Sequence, residues 1–203
     1  MTTKFKILLV LICAASSVVA APLTFDFKDP KGVNNAVFKT DAPLESINGT
    51  ATGISGTVTF DPEHPAATKG KIVVAATSLH VPNPTMQGHL QSDMWLAAAK
   101  YPEISFEVKE LKNAKTGGDT TTADAAGTFT LKGISKEMTV PVKLTYLKDK
   151  LGQRVPNQKG DLLVIRASFS IQRSDFNVNA GQGEDKVSNT IELTLNIAGA
   201  APK

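Results

Sequence analysis

Few residues in this sequence could carry thiol, metal or redox chemistry, since it has one cysteine and three histidines in 203 residues. Cys13 lies in an N-terminal segment that we expect to be removed. We therefore expect no disulfide, thiolate metal site or cysteine nucleophile in the remaining chain. His64, His80 and His89 lack the i, i+4 spacing of a helical zinc site, so we also expect no bound metal.

The sequence also lacks the patterns of a hydrolase nucleophile and of a nucleic-acid-binding surface. It contains no Gly-x-Ser-x-Gly turn, which would expose a reactive serine. Its 22 basic and 19 acidic residues are nearly balanced, and no run of lysine and arginine forms a basic stripe. We expect neither an enzyme of this type nor a nucleic-acid partner.

The N-terminus has the features of a cleavable signal peptide. Two lysines precede an uncharged apolar stretch, residues 7–15, and Val18-Val19-Ala20 places small residues before a cleavage point after Ala20. The apolar stretch is roughly half the length that a membrane-spanning helix needs. We predict a signal peptide, residues 1–20, followed by a single periplasmic or secreted domain, residues 21–203.

Apolar and polar residues alternate along most of the remaining chain, which is typical of half-buried β-strands. From Met138 to Tyr146 the even-numbered residues are apolar, and the odd-numbered ones are polar or proline. Pro141 cannot donate a hydrogen bond, so we expect a bulge or an edge-like stretch there. Similar segments predict about eight to ten strands in all: residues 23–27, 33–40, 44–51, 57–60, 71–75, 104–109, 127–131, 163–171 and 191–197.

One segment, residues 84–99, departs from this alternation. Met86, Leu90 and Met94 recur every four residues, and Asn83-Pro84 is a favourable helix start. This pattern predicts one or two short helices inserted between strands. Polar, glycine-containing stretches predict two loops, a hairpin tip at residues 112–122 and a connection at residues 151–160.

Periodicity alone leaves two questions open. Many short strands in one domain fit either a closed barrel or a sandwich. A barrel of about eight strands can be filled by its own side chains or can hold one ligand.

Several segments, in order and with matching spacing, resemble the YceI-like family of lipid- and polyisoprenoid-binding proteins. Gly56–Pro62 resembles a glycine-containing strand that ends in Phe-Asp. The most specific stretch is His89-Leu90-Gln91-Ser92-Asp93-Met94-Trp95, followed by Lys100–Phe106. Gly127–Lys136 and Ile171–Phe176 resemble two further family segments.

The resemblance implies an all-β fold, an antiparallel lipocalin-like β-barrel of about eight strands with one or two short helices inserted near residues 84–99. It implies an isoprenoid quinone or related polyprenyl lipid in the barrel, without a covalent cofactor, and a binding protein rather than an enzyme. It allows transient contact with a membrane or with membrane redox proteins. Expected tunnel-lining residues are Phe38, Phe60, Leu90, Trp95, Phe106, Phe129, Leu144 and Phe169, and expected head-group or mouth residues are His89, Arg173 and Asp175.

The sequence departs from the family pattern at several positions. Two family histidines are missing, one near the start of the domain and one at the end of its second strand. Gln91, Leu96 and Asn177 replace an arginine, an aromatic residue and a glycine. A structural ion pair between Arg173 and Asp175 is the simpler interpretation of those two residues.

Two functional alternatives to a lipid carrier remain open at this point. One is a structural or stress-related barrel that is packed by its own side chains and therefore has no cavity. The other is a hydrolase in which His89 and Asp93 meet four residues apart on a helix.

Overall fold

The computed structural model describes residues 22–203. The predicted signal peptide and Cys13 lie outside the described residues. Within them the chain forms strands and short helices with these bounds: β1 Leu23–Asp26, β2 Asn35–Asp41, β3 Ser46–Ala51, β4 Ile54–Phe60, β5 Lys69–Ala75, β6 Leu79–His80, α1 Pro84–Gln91, β7 Glu103–Gly117, β8 Thr120–Leu131, β9 Ile134–Leu147, α2 Leu151–Arg154, β10 Gly160–Gln172 and β11 Thr190–Pro202. None of the described helices is both long and apolar enough to cross a membrane.

The strands form one antiparallel sheet that closes on itself. Eight of them make the ring, in the order β1-β4-β5-β7-β8-β9-β10-β11, and a pairing of Asp26 with Ala200 joins β11 back to β1. This confirms the predicted antiparallel barrel and excludes the sandwich. Closure pairs most of each ring strand on both sides, although residues 134–141 of β9 do not pair with β10.

Strand β11 has different neighbours at its two ends. Glu192–Asn196 pairs with β2, which continues the sheet through β3 to β6, whereas Ala200 pairs with β1. The barrel therefore has a floor, closed by β1, and a mouth, where β2 and β3 extend the wall beside α1. The floor is tightly packed, with Phe25, Phe27 and Leu163 each 0% exposed.

The alternation of burial follows the sequence pattern along the longest strands. In β8 the odd-numbered residues from Thr121 to Leu131 are buried, and the even-numbered ones are exposed or half-buried. Strand β9 pairs with β10 from Val142 to Leu147 but not from Ile134 to Pro141. The predicted edge-like stretch at Pro141 is thus confirmed, because pairing with β10 ends there.

The loops at residues 112–122 and 151–160 were predicted only in part. Strands β7 and β8 extend through the first segment and leave a two-residue turn, in which Gly118 has a φ of 58°. Thr116 and Thr121 face each other across this hairpin, and their hydroxyl oxygens are 2.9 Å apart. Threonine is β-branched and therefore favours strands, which explains why this segment is not a loop. The second segment begins with α2.

The helical insert contains one α-helix, α1. Its start is as predicted, since the Asn83 side chain accepts hydrogen bonds from the backbone N–H groups of Thr85 (3.0 Å) and Met86 (3.1 Å). The helix ends at Gln91, and turns follow it up to β7.

Two buried carboxylates stabilise the floor. Burial alone would raise the pKa of Asp29, but backbone N–H groups of Asn34, Lys31 and Val33, together with the charge of Arg154, hold it below its usual value. The pKa of Asp161 is lowered in the same way against burial, by Lys203, the backbone N–H of Asp149 and the hydroxyl of Tyr146. Burial and this contact in turn raise the pKa of Tyr146 to about 12.

These shifts predict acid sensitivity. A carboxyl group whose pKa is lower in the folded state stabilises the protein above its unfolded pKa of 3.8, and that stability is lost as the pH falls through the folded value. We expect urea denaturation to give a constant unfolding free energy from pH 7 to about 5 and a falling one below about 4. In Asp161→Asn the decline between pH 5 and 3 should be shallower; an unchanged slope would contradict this assignment.

Candidate ligand-binding cavity

The barrel encloses a cavity of about 570 Å³ that reaches from the interior to the mouth. Small residues on the cavity wall contribute to this space, because each leaves volume that a larger side chain would fill. These small wall residues are Ala36, Ala51, Gly70, Ala125 and Ala167.

Large apolar side chains on the cavity wall are only partly buried, although they point inward. Ile72, Phe106, Phe169 and Leu193 are all half-buried, in contrast to the fully buried phenylalanines of the floor. They pack against core side chains on one side and face the open cavity on the other. The barrel is hollow, which contradicts the alternative of a barrel packed by its own residues.

All of the predicted tunnel-lining residues except Phe60 lie on the cavity wall, namely Phe38, Leu90, Trp95, Phe106, Phe129, Leu144 and Phe169. Phe60 faces inward as expected, but it lies at the end of β4 beside the floor. Its ring is 1% exposed and packs 6.5 Å from the ring of Tyr146. The alternating pattern predicts the face of a strand but not the height of a residue along the barrel.

A glycine gives one wall aromatic its position. Phe38 of β2 is paired with Gly49 of β3, and a Cβ atom at residue 49 would clash with the Phe38 ring. The ring therefore lies across the neighbouring strand at the place where a side chain would otherwise stand. The sequence pattern did not reveal this role of Gly49, since the predicted tunnel-lining residues all have large side chains.

The mouth carries the polar part of the wall. His89, on α1, is exposed and lines the cavity, together with Asn83 and Thr85 at the start of the helix. Glu45 and Lys186 contribute charged groups from two facing loops. His89 is thus placed where a polar head group at the cavity opening would meet it.

Arg173 lies on the cavity wall but is 1% exposed and is held by backbone carbonyls. Burial lowers the pKa of its guanidinium, and nearby Glu184 partly offsets this effect. The guanidinium also lies over the ring of Trp95, 5.7 Å from its centroid. The accepting oxygens belong to Val178 (3.1 Å), Asn179, Gln182 (2.6 Å), Val187 (3.0 Å) and Ser188 (3.2 Å).

The expected ion pair between Arg173 and Asp175 is absent from the described part of the chain. Asp175 points outward, away from the cavity, and pairs with Lys136 at 3.0 Å. Carbonyl oxygens already occupy the arginine, so a carboxylate is not needed to satisfy its donors. Arg173 holds the loop of residues 177–189 in place, as a structural residue would, although its partners differ from those expected.

The geometry does not assemble the proposed hydrolase pair. Helix α1 ends at Gln91, so Asp93 lies beyond it and does not share a helical face with His89. Among residues 22–203, no group of three or more histidine, cysteine or acidic side chains is arranged to hold a metal ion.

Comparison with known proteins agrees with this hollow barrel. The profile of the YceI-like domain matches residues 19–199. The chain belongs to the YceI-like family. It is 31% identical over 157 residues to protein YceI of Escherichia coli, covering 77% of this chain and 75% of that protein. A UPF0312 protein of an Enterobacter species is equally similar, at 31% identity with the same coverage.

Solved structures show the same fold at lower sequence identity. Burkholderia cenocepacia BcnA is 21% identical, with a TM-score of 0.62, covering 81% of this chain and 94% of BcnA. A polyisoprenoid-binding domain from Saccharophagus degradans is 12% identical, with a TM-score of 0.63, covering 90% of this chain and all (100%) of that domain.

This YceI-like barrel accommodates two of its departures from the family pattern in different ways. Asn177, in place of a glycine, has a φ of 52°, a left-handed conformation that asparagine tolerates better than most residues. Gln91, in place of an arginine, donates to the carbonyls of Ala76 (3.3 Å) and Leu79 (3.2 Å). It thereby ties α1 to the segment before it.

Proposed function

We propose that this protein binds an isoprenoid quinone or a related polyprenyl lipid in the cavity and stores or transports it in the periplasm or outside the cell. The observation that carries the proposal is a hollow barrel whose wall is almost wholly apolar, with half-buried side chains facing the empty interior. Burial of apolar ligand surface against such a wall is favourable by about 25 cal/mol per Å².

One solved structure with the same fold supports the same chemistry. The Saccharophagus degradans domain, which shares the fold, is itself described as polyisoprenoid-binding. A flexible isoprenoid chain suits a deep cavity lined by aromatic and aliphatic side chains, with few polar groups to fix its orientation.

The head group is proposed to lie at the mouth. Arg173 donates its hydrogen bonds to carbonyls, and Asp175 points away, so neither is well placed to bind a head group. His89 is exposed at the opening and is the better candidate of the three predicted residues.

A transient membrane contact is proposed for the same end of the barrel. Leu44 is 67% exposed and Met94 is 65% exposed. Both belong to segments that hydrogen-bond to the loop of residues 177–189, Leu44 through Asp185 (2.9 Å) and Met94 through Asn179 (2.9 Å). Exposed apolar residues beside the opening would let a lipid pass from a bilayer into the cavity.

The decisive test is the lipid that accompanies the protein. We expect organic extraction of protein purified from its native host, without detergent, to release about one isoprenoid molecule per chain, as one cavity predicts. Mass spectrometry would identify the chain and its head group. The proposal would be contradicted if the purified protein repeatedly carried no stoichiometric apolar ligand, or carried straight-chain lipids alone.

A further inference from the structure

Helix α1 forms one side of the mouth and is only loosely embedded in it. Thr85, Met86, His89 and Leu90 share the helical face that lines the cavity. None of the eight residues of α1 is buried, and the helix lies outside the hydrogen-bonded sheet. It therefore covers part of the opening without belonging to the wall that the sheet holds together.

The sequence of α1 makes a weak helix. Isolated helices shorter than about 12 residues are marginal in water, and α1 has eight. Gly88 lies near its middle, where glycine destabilises a helix relative to alanine. Packing does not require this glycine, because a Cβ atom there would meet no neighbouring segment within 4 Å. The helix thus depends on its attachments to the rest of the domain.

The segments on either side of α1 are firmly anchored. Before the helix, Leu79 pairs with Ala51 in the sheet, and Val81 is buried. After the helix, Leu96 is buried, and its backbone N–H donates to the carbonyl of Leu90 at 3.2 Å. A movement that displaces α1 is therefore confined to the residues between these anchors.

One side chain fastens the middle of the helix to the anchored segment before it. Gln87 accepts a hydrogen bond from the backbone N–H of Val81 (2.8 Å) and donates one to the carbonyl of Leu79 (2.9 Å). Gln91 makes similar contacts from the last residue of the helix, where the chain is already anchored. Gln87 is therefore the attachment that holds the middle of α1 over the mouth.

We propose that α1 is a lid over the mouth and that Gln87 is its latch. When the two hydrogen bonds of Gln87 open, α1 moves outward and the lipid enters or leaves beside it. An apolar chain beneath Met86 and Leu90 contacts them only when the lid is closed, so a bound lipid favours the closed state. This inference rests on the proposed function, because it concerns how the lipid of that function is exchanged.

The first test measures how fast farnesol, a short isoprenoid alcohol, leaves the whole domain. Trp95, the only tryptophan in the sequence, lines the cavity, so its emission follows release after rapid dilution. Gln87→Met removes both hydrogen bonds of the latch and keeps a side chain of similar length. We expect farnesol to leave this variant about tenfold faster than it leaves the wild type, because the latch no longer holds the lid.

The equilibrium affinity separates a lid from a damaged binding site. A lid that opens more often speeds entry and release alike, so the Kd of Gln87→Met for farnesol should stay within about threefold of the wild-type value. The matched control is Gln153→Met, which changes an exposed glutamine of α2 beside the floor and should leave both the release rate and the Kd unchanged.

Amide hydrogen exchange tests the lid in the protein without ligand. We expect the amides of residues 84–91 to exchange faster than those of β8, since local opening exposes them while the barrel stays folded. Farnesol should slow their exchange, and Gln87→Met should speed it. Exchange in α1 as slow as in β8 would overturn the lid.

The remaining outcomes separate the lid from the proposed function. Failure of the wild-type protein to bind farnesol would overturn the proposed function and the lid with it. Binding of farnesol with an unchanged release rate in Gln87→Met would overturn the lid alone. Equal acceleration in Gln153→Met, or a Kd of Gln87→Met that rises as much as its release rate, would also overturn the lid, since neither result depends on a latch.

Discussion

Replacement of Arg173 by methionine is expected to lower the free energy of unfolding by about 3 kcal/mol, the largest stability effect that we predict for one residue. Methionine can fill part of the buried volume, but it donates no hydrogen bonds. Five carbonyl oxygens of the loop at residues 177–189 would lose a charged donor together.

The loss of stability in Arg173→Met is limited because much of this loop is exposed, so its carbonyls can form hydrogen bonds with water. The same substitution removes the cation that lies over the Trp95 ring, so the emission of this tryptophan should shift while the domain is still folded. Urea denaturation followed by far-ultraviolet circular dichroism gives the stability, and tryptophan emission gives the local change.

Two further variants test whether geometry or charge matters at this position. Arg173→Lys keeps the charge but has three donors on one nitrogen, so it should recover less than half of the lost stability. Arg166→Met removes an exposed arginine from the same strand region and should cost under about 1 kcal/mol. Equal losses for Arg173→Met and Arg166→Met would contradict the role of Arg173 as the anchor of the loop.

Replacement of Ile72 by tryptophan is expected to weaken binding of an isoprenoid at least about tenfold, because the larger ring occupies the cavity. Ile72 is half-buried on the wall, so open space is available to the new side chain and the fold should survive. The measurements are lipid recovered per chain and the melting temperature.

The adjacent residue provides a control for this variant. Lys71 points outward from the same strand, so Lys71→Trp adds the same ring to the outer surface and should leave lipid recovery unchanged. A variant Ile72→Trp that folds and still carries a full complement of lipid would mean that the cavity is not the binding site.

The strands were predictable because the alternation of apolar and polar residues in each strand shows which of its faces is buried. The alternation from Met138 to Tyr146 can be recognised without knowing which strands lie beside it. Pro141 marked the end of pairing between β9 and β10, because its missing N–H group is a property of the residue itself. The threonines of the β7–β8 hairpin were misassigned to a loop, since their polarity concealed a β-branched preference for strands.

The hollow interior could not be predicted in the same way. Whether Ala125 and Ala167 leave a cavity depends on which residues face them across the barrel, and this is set by closure and register. The position of Phe60 in the floor and the hydrogen bonds of Arg173 to carbonyls could not be predicted for the same reason. The floor that buries Phe60 and the carbonyls that hold Arg173 belong to segments brought together by tertiary structure.

The pairing of Asp26 with Ala200 also limits when the barrel can close during folding. Barrel closure needs the first strand and the last, so the most distant parts of the chain must meet before the floor is sealed. Contacts of such long sequence separation form slowly. A newly made chain therefore cannot close its barrel until its last strand has been synthesised.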